Sequence, residues 1–312
     1  MGDSTKIEWS DASWNVVTGC TEVSPGCDRC YAKTFAERWR GTPGHHFENG
    51  FDLQLRPERL DIPMTWRKPR KVFVNSMSDL FHKDIPSDYI AQTFAVMALT
   101  PRHTYQVLTK RHARMKSLLN QESFHTAVLA WTGRLQDEKH PMPAWNPGAR
   151  RLKAWPLPNV HLGVSVEDQH WADIRIPALA QTPAAVRFLS CEPLIGPVRL
   201  HRGHVHCPVH DFPGGFCSSP CPHAILPNWI IIGGESGRGS RPFDPQWAAD
   251  LIDDARLAGA APFVKQLGSV WARDTSYAGK TVAAHGDTKG GKPEYWPTRL
   301  RVREYPQEAT HV

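Results

Sequence analysis

The stretch Trp14-Asn-Val-Val-Thr-Gly-Cys20-Thr-Glu-Val-Ser-Pro-Gly-Cys27-Asp-Arg-Cys30 places three cysteines on one loop near the start of the chain. Residues 14–19 have the composition of a short strand, which would deliver Cys20 at its carboxyl end. The Ser-Pro-Gly turn follows, and residues 28–40 are expected to form a helix. This strand, loop and helix is the first unit of the predicted fold.

The same alternation of a buried-type strand with a helical pattern repeats along the chain. The predicted strands are residues 14–19, 71–75, 104–109, 160–166, 186–190, 229–232 and 262–266. Helical patterns follow six of them, as expected of βαβ units with right-handed crossovers and a parallel sheet. We therefore predict an α/β fold, a partial or complete (β/α) barrel of about six to seven parallel strands with irregular insertions.

Composition separates this barrel from a tail. The barrel is expected over residues 1–270, with an irregular insertion near 120–158 and a cysteine- and histidine-rich insertion at 201–226. Residues 271–312 are rich in glycine, lysine and other charged residues. We predict that they form a C-terminal tail that is either peripheral or partly disordered.

The charge of the chain is compatible with an anionic partner. Its 312 residues carry 37 Lys and Arg against 31 Asp and Glu, for a net charge of +6 and a pI near 9.0. The basic stretch 66–71 includes Trp66, whose ring could stack on a base, although a solvated approach to a strand is an equally good interpretation. The sequence has no run of about 18 apolar residues and no signal-peptide pattern, so we expect a cytoplasmic protein that does not span a membrane.

The first three cysteines have the chemistry of an iron–sulfur site. Thiolates of Cys20, Cys27 and Cys30 can bind three irons of a [4Fe-4S] cluster and leave the fourth iron open to chelate the amino and carboxylate groups of S-adenosylmethionine. A zinc site that adds His45 or His46 is one alternative, and inert thiols are another. The seven cysteines are an odd number, which favours thiols and metal ligands over a disulfide framework.

A second cysteine group lies in the insertion at 201–226, which is too rich in glycine and proline to build a core of its own. Three cysteines and a histidine could hold a structural zinc ion that stabilises such a loop. A second iron–sulfur cluster and no metal at all are the alternatives, and His223 could replace the histidine of the set. The predicted ligands are Cys207, His210, Cys217 and Cys221. Cys191, at a strand end, is expected to be a packed thiol.

Polar side chains follow the ends of several predicted strands. In α/β barrels the carboxyl ends of the strands carry the active site, so we expect these side chains to line one cavity. Individual members, such as Asp79, Glu167 and Glu192, could instead cap helices or face solvent. The set comprises Asn75, Ser76, Asp79, Lys110, Arg111, Glu167, Glu192, Glu235, Lys265 and Gln266.

These features resemble the radical S-adenosylmethionine superfamily. More closely, the chain is similar to a family of phage and bacterial proteins of unassigned function that have this radical-type barrel and are distantly similar to spore photoproduct lyase. The resemblance covers about residues 5–270. It depends on the cysteine loop and on Asn75-Ser-Met-Ser-Asp-Leu-Phe81, Leu108-Thr-Lys-Arg111, Gly163-Val-Ser-Val-Glu167, Ser190-Cys-Glu-Pro-Leu194 and Gly233-Gly-Glu-Ser-Gly237.

The resemblance implies an iron–sulfur enzyme that reductively cleaves S-adenosylmethionine to a 5'-deoxyadenosyl radical. Its substrate is unknown, a nucleic acid is one candidate, and an electron donor is an expected partner. Cofactor contacts are expected from Asn75, Ser76 and Asp79, with Lys110 or Arg111 pairing with the methionine carboxylate. Glu167, Glu192 and Glu235 complete the predicted cofactor-binding set. The alternative is a metal-stabilised protein that binds nucleic acid or another partner without radical chemistry.

The chain departs from the superfamily pattern in two places. Six residues separate Cys20 from Cys27, where the superfamily has three, and Arg29 rather than an aromatic residue precedes Cys30. The Gly-Gly-Glu element at 233–235 follows the sixth predicted strand, whereas the superfamily has it after the second. Asn75, Ser76 and Asp79, at the second strand, are therefore expected to take its place.

Overall fold

The computed structural model of the protein describes residues 5, 7–139, 154–200 and 225–307. In chain order its strands are β1 (Ala12–Trp14), β2 (Val17–Thr18), β3 (Gln54–Leu55), β4 (Lys71–Val74), β5 (Thr104–Thr109), β6 (Val160–Ser165), β7 (Val186–Cys191), β8 (Trp229–Gly233), β9 (Ala261–Gln266), β10 (Ser276–Tyr277) and β11 (Lys280–Thr281). Its helices are α1 (Tyr31–Glu37), α2 (Ile62–Thr65), α3 (Ser87–Leu99), α4 (His112–Leu119), α5 (Glu122–Lys139), α6 (Gln169–Ala180), α7 (Pro245–Leu257) and α8 (Ser269–Asp274).

Seven parallel strands form the main sheet, in the order β1-β4-β5-β6-β7-β8-β9. Every residue of β6 and β8 is buried, as expected of parallel strands whose two faces are both covered. Strands and helices alternate, and the sheet order follows the chain order of its strands. The prediction of an α/β fold with a partial (β/α) barrel is confirmed.

The chain divides into two compact units. The first comprises Met1–Leu162 with Thr182–Ala185, and the second comprises Gly163–Gln181 with Val186–Val312. In the first unit, β1 pairs with β4 and β4 pairs with β5, both in parallel. Helices α3 and α5 pack together in this unit, with the rings of Phe94 and Phe124 5.6 Å apart.

The first strand of the sheet lies earlier in the chain than predicted, because β1 shares only Trp14 with the predicted strand at residues 14–19. It ends at Trp14, because the side chain of the buried Asn15 turns to accept hydrogen bonds from Ser76 Oγ (3.2 Å) and Met77 N (2.9 Å). Residues 17–18 form β2, which pairs antiparallel with β3 outside the main sheet. Cys20 therefore follows β2 rather than the carboxyl end of a sheet strand.

Part of the predicted irregular insertion is regular. Residues 122–139 form α5, an 18-residue helix, so the expectation of irregular structure over 120–158 is wrong for this part. The helix packs on α3, and this tertiary contact stabilises a segment whose sequence lacks a clear apolar periodicity.

In the second unit, β7, β8 and β9 are parallel neighbours. Asp168 and Asp244 cap α6 and α7 by accepting hydrogen bonds from backbone N–H groups in the first helical turns. The described part of the C-terminal segment is not peripheral: Trp296 is buried, and the backbone N–H of Val264 in β9 donates to the carbonyl of Val302 (2.8 Å). The prediction of a peripheral tail is wrong for these residues. Their composition is rich in glycine and lysine, but a few long-range contacts hold them against the second unit's core and strand β9.

Candidate metal centre

The three cysteines of the first unit lie on a loop with defined turns. Residues Pro25–Cys27 form one turn of 3-10 helix, in which Cys27 N donates to Ser24 O (2.8 Å). Cys30 N donates to Cys27 O (3.1 Å), and Cys30 occupies the position just before α1. All three thiols are free and partly exposed, so each is available to bind a metal.

An apolar wall supports the thiol loop. Cys20 and Cys30 pack against a buried cluster formed by Ala32, Ala36, Phe47, Phe51 and Met77. Gly19 lets the chain enter the loop, since its φ is +84° and a Cβ atom there would lie 2.1 Å from the carbonyl oxygen of Asp52. Such a wall lowers the local dielectric constant and strengthens the interaction of a charged centre with its neighbours.

Arg111, just past the end of β5, contacts the thiol loop directly. Its Nη1 donates to Cys20 Sγ (3.4 Å) and to Asp79 Oδ2 (3.3 Å). Its Nη2 donates to Thr21 O (2.9 Å) and Thr21 Oγ1 (2.8 Å). The guanidinium therefore links the first cysteine to the residues that follow β4 and β5.

Asp79 is already fully engaged by the protein. Its carboxylate accepts from Thr109 Oγ1 (2.7 Å), Lys110 N (2.9 Å) and Phe81 N (3.0 Å), in addition to Arg111. A carboxylate with these four donors holds the surrounding loops in place. The geometry assigns Asp79 to support of the thiol loop rather than to direct contact with a ligand.

Burial and the neighbouring Asp79 carboxylate raise the pKa of the Cys20 thiol to about 11, against the opposing influence of Arg111. In metal-free folded protein at pH 8, Cys20 should therefore react with iodoacetamide about a hundredfold more slowly than an unperturbed thiol, because only the thiolate reacts. The rate should rise about tenfold per pH unit up to about pH 11. Peptide-resolved mass spectrometry measures it, with urea-unfolded protein as the control; equal rates in the two states at pH 8 would contradict the raised pKa.

Asn75 directly follows β4 in an unusual backbone conformation. Its φ is +61°, in the left-handed region, and the residue is only 3% exposed. Its Oδ1 accepts from Val16 N (3.1 Å), whereas its buried Nδ2 has no hydrogen-bond partner within the described residues. A buried donor without a partner costs free energy, and strained backbone of this kind clusters at binding sites. Of the predicted cofactor contacts in this unit, Asn75 best fits a ligand site.

Ser76 and Lys110 are held by other parts of the first unit. Ser76 Oγ donates to Asn15 Oδ1, and its carbonyl accepts from Tyr31 Oη (2.5 Å), which ties the start of α1 to the end of β4. Lys110 N donates to Asp79. The backbone of Lys110 is thus linked to Cys20 through Asp79 and Arg111. The predicted cofactor contacts of Ser76 and Lys110 stay predictions.

The family comparison gives a match over residues 4–295 to a family described as "Protein of unknown function (DUF5131)". The chain belongs to the DUF5131 family. No curated protein and no solved structure matches it. No helix in the described part of this DUF5131 protein is long and apolar enough to cross a membrane.

No three His, Cys, Asp or Glu side chains within residues 7–139, 154–200 and 225–307 are arranged to hold a single metal ion. Each thiolate of a [4Fe-4S] cluster would bind a different iron, so a cluster does not need three side chains arranged around one ion. His45, a candidate zinc ligand, stacks on Trp39 with centroids 4.1 Å apart, and its Nδ1 accepts from Phe47 N (3.1 Å). Burial lowers the pKa of His46, the other candidate, to about 4.

The predicted glutamates of the second unit all form ion pairs. Glu167 Oε2 pairs with Arg175 Nη1 (2.8 Å), and both side chains are 0% exposed, so this carboxylate does not reach solvent. Glu235 accepts three hydrogen bonds from Arg241, through its backbone N, Nε and Nη2. Neighbouring arginines satisfy both carboxylates. The structure therefore gives no support to the predicted role of Glu167 and Glu235 as cofactor contacts.

Glu192 is paired but partly accessible. Its Oε1 contacts Lys265 Nζ at 2.8 Å, a contact that crosses β8 from the end of β7 to β9. Gly233 leaves room for it, because a Cβ atom there would lie 3.2 Å from Glu192 Cγ. Lys265 belongs to the strand-end set that was predicted to line the cavity, but it was not among the predicted cofactor contacts.

Three predictions about other cysteines and the basic stretch have different outcomes. Cys191 is a free, fully buried thiol at the end of β7, which confirms that it is packed. Trp66 is only 6% exposed, and the guanidinium of Arg70 lies 4.7 Å from its ring centroid, so this ring is not available to stack on a base. The proposed zinc ligands Cys207, His210, Cys217 and Cys221 lie outside the described residues.

Sequence reasoning missed the anchoring of the first cysteine. Arg111 was predicted as a partner for a cofactor carboxylate, but it contacts Cys20 itself. His82 Nε2 lies 2.9 Å from Thr21 Oγ1 and was not predicted at all. A cation directly after a predicted strand was the available signal for Arg111, whereas no spacing in the sequence points to His82.

Proposed function

We propose that this DUF5131 protein is an iron–sulfur enzyme that binds a [4Fe-4S] cluster at Cys20, Cys27 and Cys30. When bound, the cluster supplies the electron that cleaves S-adenosylmethionine to a 5'-deoxyadenosyl radical. The substrate is unassigned, with a nucleic acid as one candidate, and an external electron donor is a required partner.

The arrangement of the three thiols carries this proposal. They are free, they lie on one loop of a partial (β/α) barrel, and Cys20 Sγ accepts a hydrogen bond from a guanidinium. A cation and an apolar wall suit a centre that carries negative charge on its thiolate ligands. Free thiols at Cys20, Cys27, Cys30 and Cys191 also support the proposal of a reducing, cytoplasmic location.

The chain's own groups would orient S-adenosylmethionine beside the cluster. The Asn75 Nδ2 donor supports this role, because a ligand oxygen could satisfy it. Asp79 and Arg111 would act indirectly, since their hydrogen bonds hold the loop. The predicted pairing of Arg111 with a methionine carboxylate is therefore not part of the proposal.

Asn75→Asp should weaken S-adenosylmethionine binding about tenfold or more, because it replaces the Nδ2 donor with an acceptor while keeping the Oδ1 that accepts from Val16. Equilibrium binding to cluster-loaded protein measures the effect. Iron content and unfolding free energy serve as controls for the loading and folding of the variant. Unchanged affinity in a loaded, folded variant would remove Asn75 from the site.

Reductive cleavage is the direct test of the proposed function. Anaerobically reconstituted protein, reduced with dithionite in the presence of S-adenosylmethionine, should release 5'-deoxyadenosine and methionine. Protein in which Cys20, Cys27 and Cys30 are all alanine is the control for non-enzymatic breakdown. The absence of both products from cluster-loaded wild-type protein would refute the radical chemistry.

A nucleic-acid-binding function without radical chemistry is not favoured by a specific contact. Its best sequence evidence was the stretch 66–71, and the ring of Trp66 is buried. The net charge of +6 remains compatible with an anionic substrate of the enzyme.

A further inference from the structure

We infer that Arg111 is a positioning residue that clamps the Cys20 arm of the thiol loop and places a positive charge at the Cys20 sulfur. This inference rests on the proposed function, because it concerns the centre that the loop would hold. It assigns to Arg111 a role in tuning the reduction potential of the cluster. Arg111 would also help the site to retain iron.

The clamp is a fork with two separate targets. One guanidinium nitrogen contacts Cys20 Sγ and Asp79, and the other contacts the carbonyl and the hydroxyl of Thr21. The side chain of Arg111 is only 11% exposed, so water competes little for these bonds. A planar guanidinium can make both sets of contacts at once, whereas the single ammonium of lysine cannot reproduce this geometry.

The hydroxyl of Thr21 also contacts His82. Asp84 N donates to His82 Nδ1 (3.3 Å), so a neutral ring carries its proton on Nε2 and donates it to Thr21 Oγ1 (2.9 Å). Burial and then the Arg111 cation lower the pKa of His82, in agreement with a neutral ring. The residue after Cys20 is thus fixed by two side chains, and the position of Cys20 follows from it.

The other two cysteines are held differently. Within the described residues, Cys27 and Cys30 form hydrogen bonds through their backbone groups, within the 3-10 turn and at the start of α1, where the Cys30 carbonyl also accepts from Thr34 Oγ1 (3.1 Å). Arg111 therefore contacts one of the three cysteine ligands, and its charge acts locally at Cys20. This asymmetry lets a substitution at Arg111 change the charge at one sulfur without altering the backbone that presents the other two.

The charge has a defined electrostatic consequence. Reduction adds one negative charge to a cluster, and a donor cation at a ligand sulfur stabilises that reduced form. Removal of the cation should therefore make the potential more negative. A charge-assisted hydrogen bond of this kind is worth about a tenfold change in equilibrium constant, which is about 59 mV for a one-electron couple.

The experiment compares cluster-loaded wild type with Arg111→Gln, Arg111→Lys and Lys83→Gln. Lys83→Gln is the matched control, since it removes one positive charge from an exposed residue beside His82 that does not contact Cys20. Midpoint potentials come from redox titrations followed by electron paramagnetic resonance, and iron retention comes from the rate of iron loss to a chelator. Circular dichroism of the metal-free proteins checks folding.

Arg111→Gln should lower the midpoint potential by about 59 mV, which corresponds to a tenfold change in equilibrium constant. It should also lose iron several-fold faster than wild type. Arg111→Lys should have a midpoint potential close to that of wild type, because it retains the positive charge. It should still lose iron faster, because an ammonium group cannot make both sets of guanidinium contacts. Lys83→Gln should match wild type. The inference would be overturned if both Arg111 variants had the midpoint potential and the rate of iron loss of wild type.

Two further outcomes are also decisive. If Arg111→Gln does not fold, Arg111→Lys alone tests the inference. Iron loss from Arg111→Lys at the wild-type rate would then overturn the inference. If wild-type protein takes up no cluster, the proposed function fails and the inference fails with it. A cluster that forms in wild type with unaltered properties in the Arg111 variants contradicts only the inference.

Discussion

Cys27→Ala is expected to abolish cluster assembly, lowering bound iron from about four per chain to a trace after anaerobic reconstitution. Cys27 lies in the 3-10 turn between the other two cysteines, and its thiol is free and partly exposed. The turn contains no second cysteine, so the substitution leaves only the thiols of Cys20 and Cys30 on this loop to bind iron. The absorbance of the cluster near 400 nm and the release of 5'-deoxyadenosine should disappear together.

Cys191→Ala is the matched control for this prediction. It also removes one thiol, but that thiol is fully buried in β7 of the second unit. Burial raises the pKa of the Cys191 thiol far above its ordinary value, which disfavours the thiolate that metals bind. Its iron content should equal that of wild type. Full iron loading of the Cys27 variant would show that the loop is not the cluster site.

Glu167→Ala is expected to destabilise the protein by about 3–5 kcal/mol, the usual cost of leaving a buried charge without its partner. Both members of the Glu167–Arg175 pair are fully buried, and Arg175 also donates to Ser165 O (2.8 Å) and lies 4.0 Å from the ring centroid of Trp171. Urea unfolding followed by circular dichroism measures the change, as a shift in midpoint at constant slope.

An exposed ion pair in the first unit is the control for this second prediction. Glu22 and Lys33 are 2.7 Å apart, but each side chain is about half exposed, so solvent screens the pair and Glu22→Ala should cost far less stability than Glu167→Ala. Similar costs for Glu167→Ala and Glu22→Ala would contradict the view that Glu167 is a structural residue. Replacing Glu167 and Arg175 together by methionine should recover much of the loss, since no buried charge remains.

The sheet was predictable because its strands have simple sequences. Residues such as Trp229–Ile232 form a continuous apolar run, which is typical of strands covered on both faces. The first strand was predicted too late in the chain. Residues 14–19 have the composition of a strand, but the main-sheet strand ends at Trp14, and residues 17–18 pair in a second, small sheet. The packing of Trp296 and Val302 depends on contacts between distant segments, which composition does not reveal.

The cysteine loop was recognisable from its spacing in the sequence, but the charged groups around it were not. Of the predicted strand-end set, Arg111 contacts Cys20 and Asp79 contacts Arg111. The sequence could not reveal which carboxylates are already paired. Glu167 and Glu235 looked like free ligands until the fold brought Arg175 and Arg241 against them. Ion pairing within the fold, rather than position at a strand end, separates supporting residues from candidate contacts.

The iron and acid-labile sulfide content of anaerobically purified protein tests the central claim most directly. Wild-type protein should contain about four irons and about four sulfides per chain at the first site, and Cys20→Ala should contain neither at that site. Zinc content measured on the same samples separates a cluster from a single-ion site. Wild-type protein that binds zinc through these cysteines, with no sulfide after reconstitution, would contradict the account.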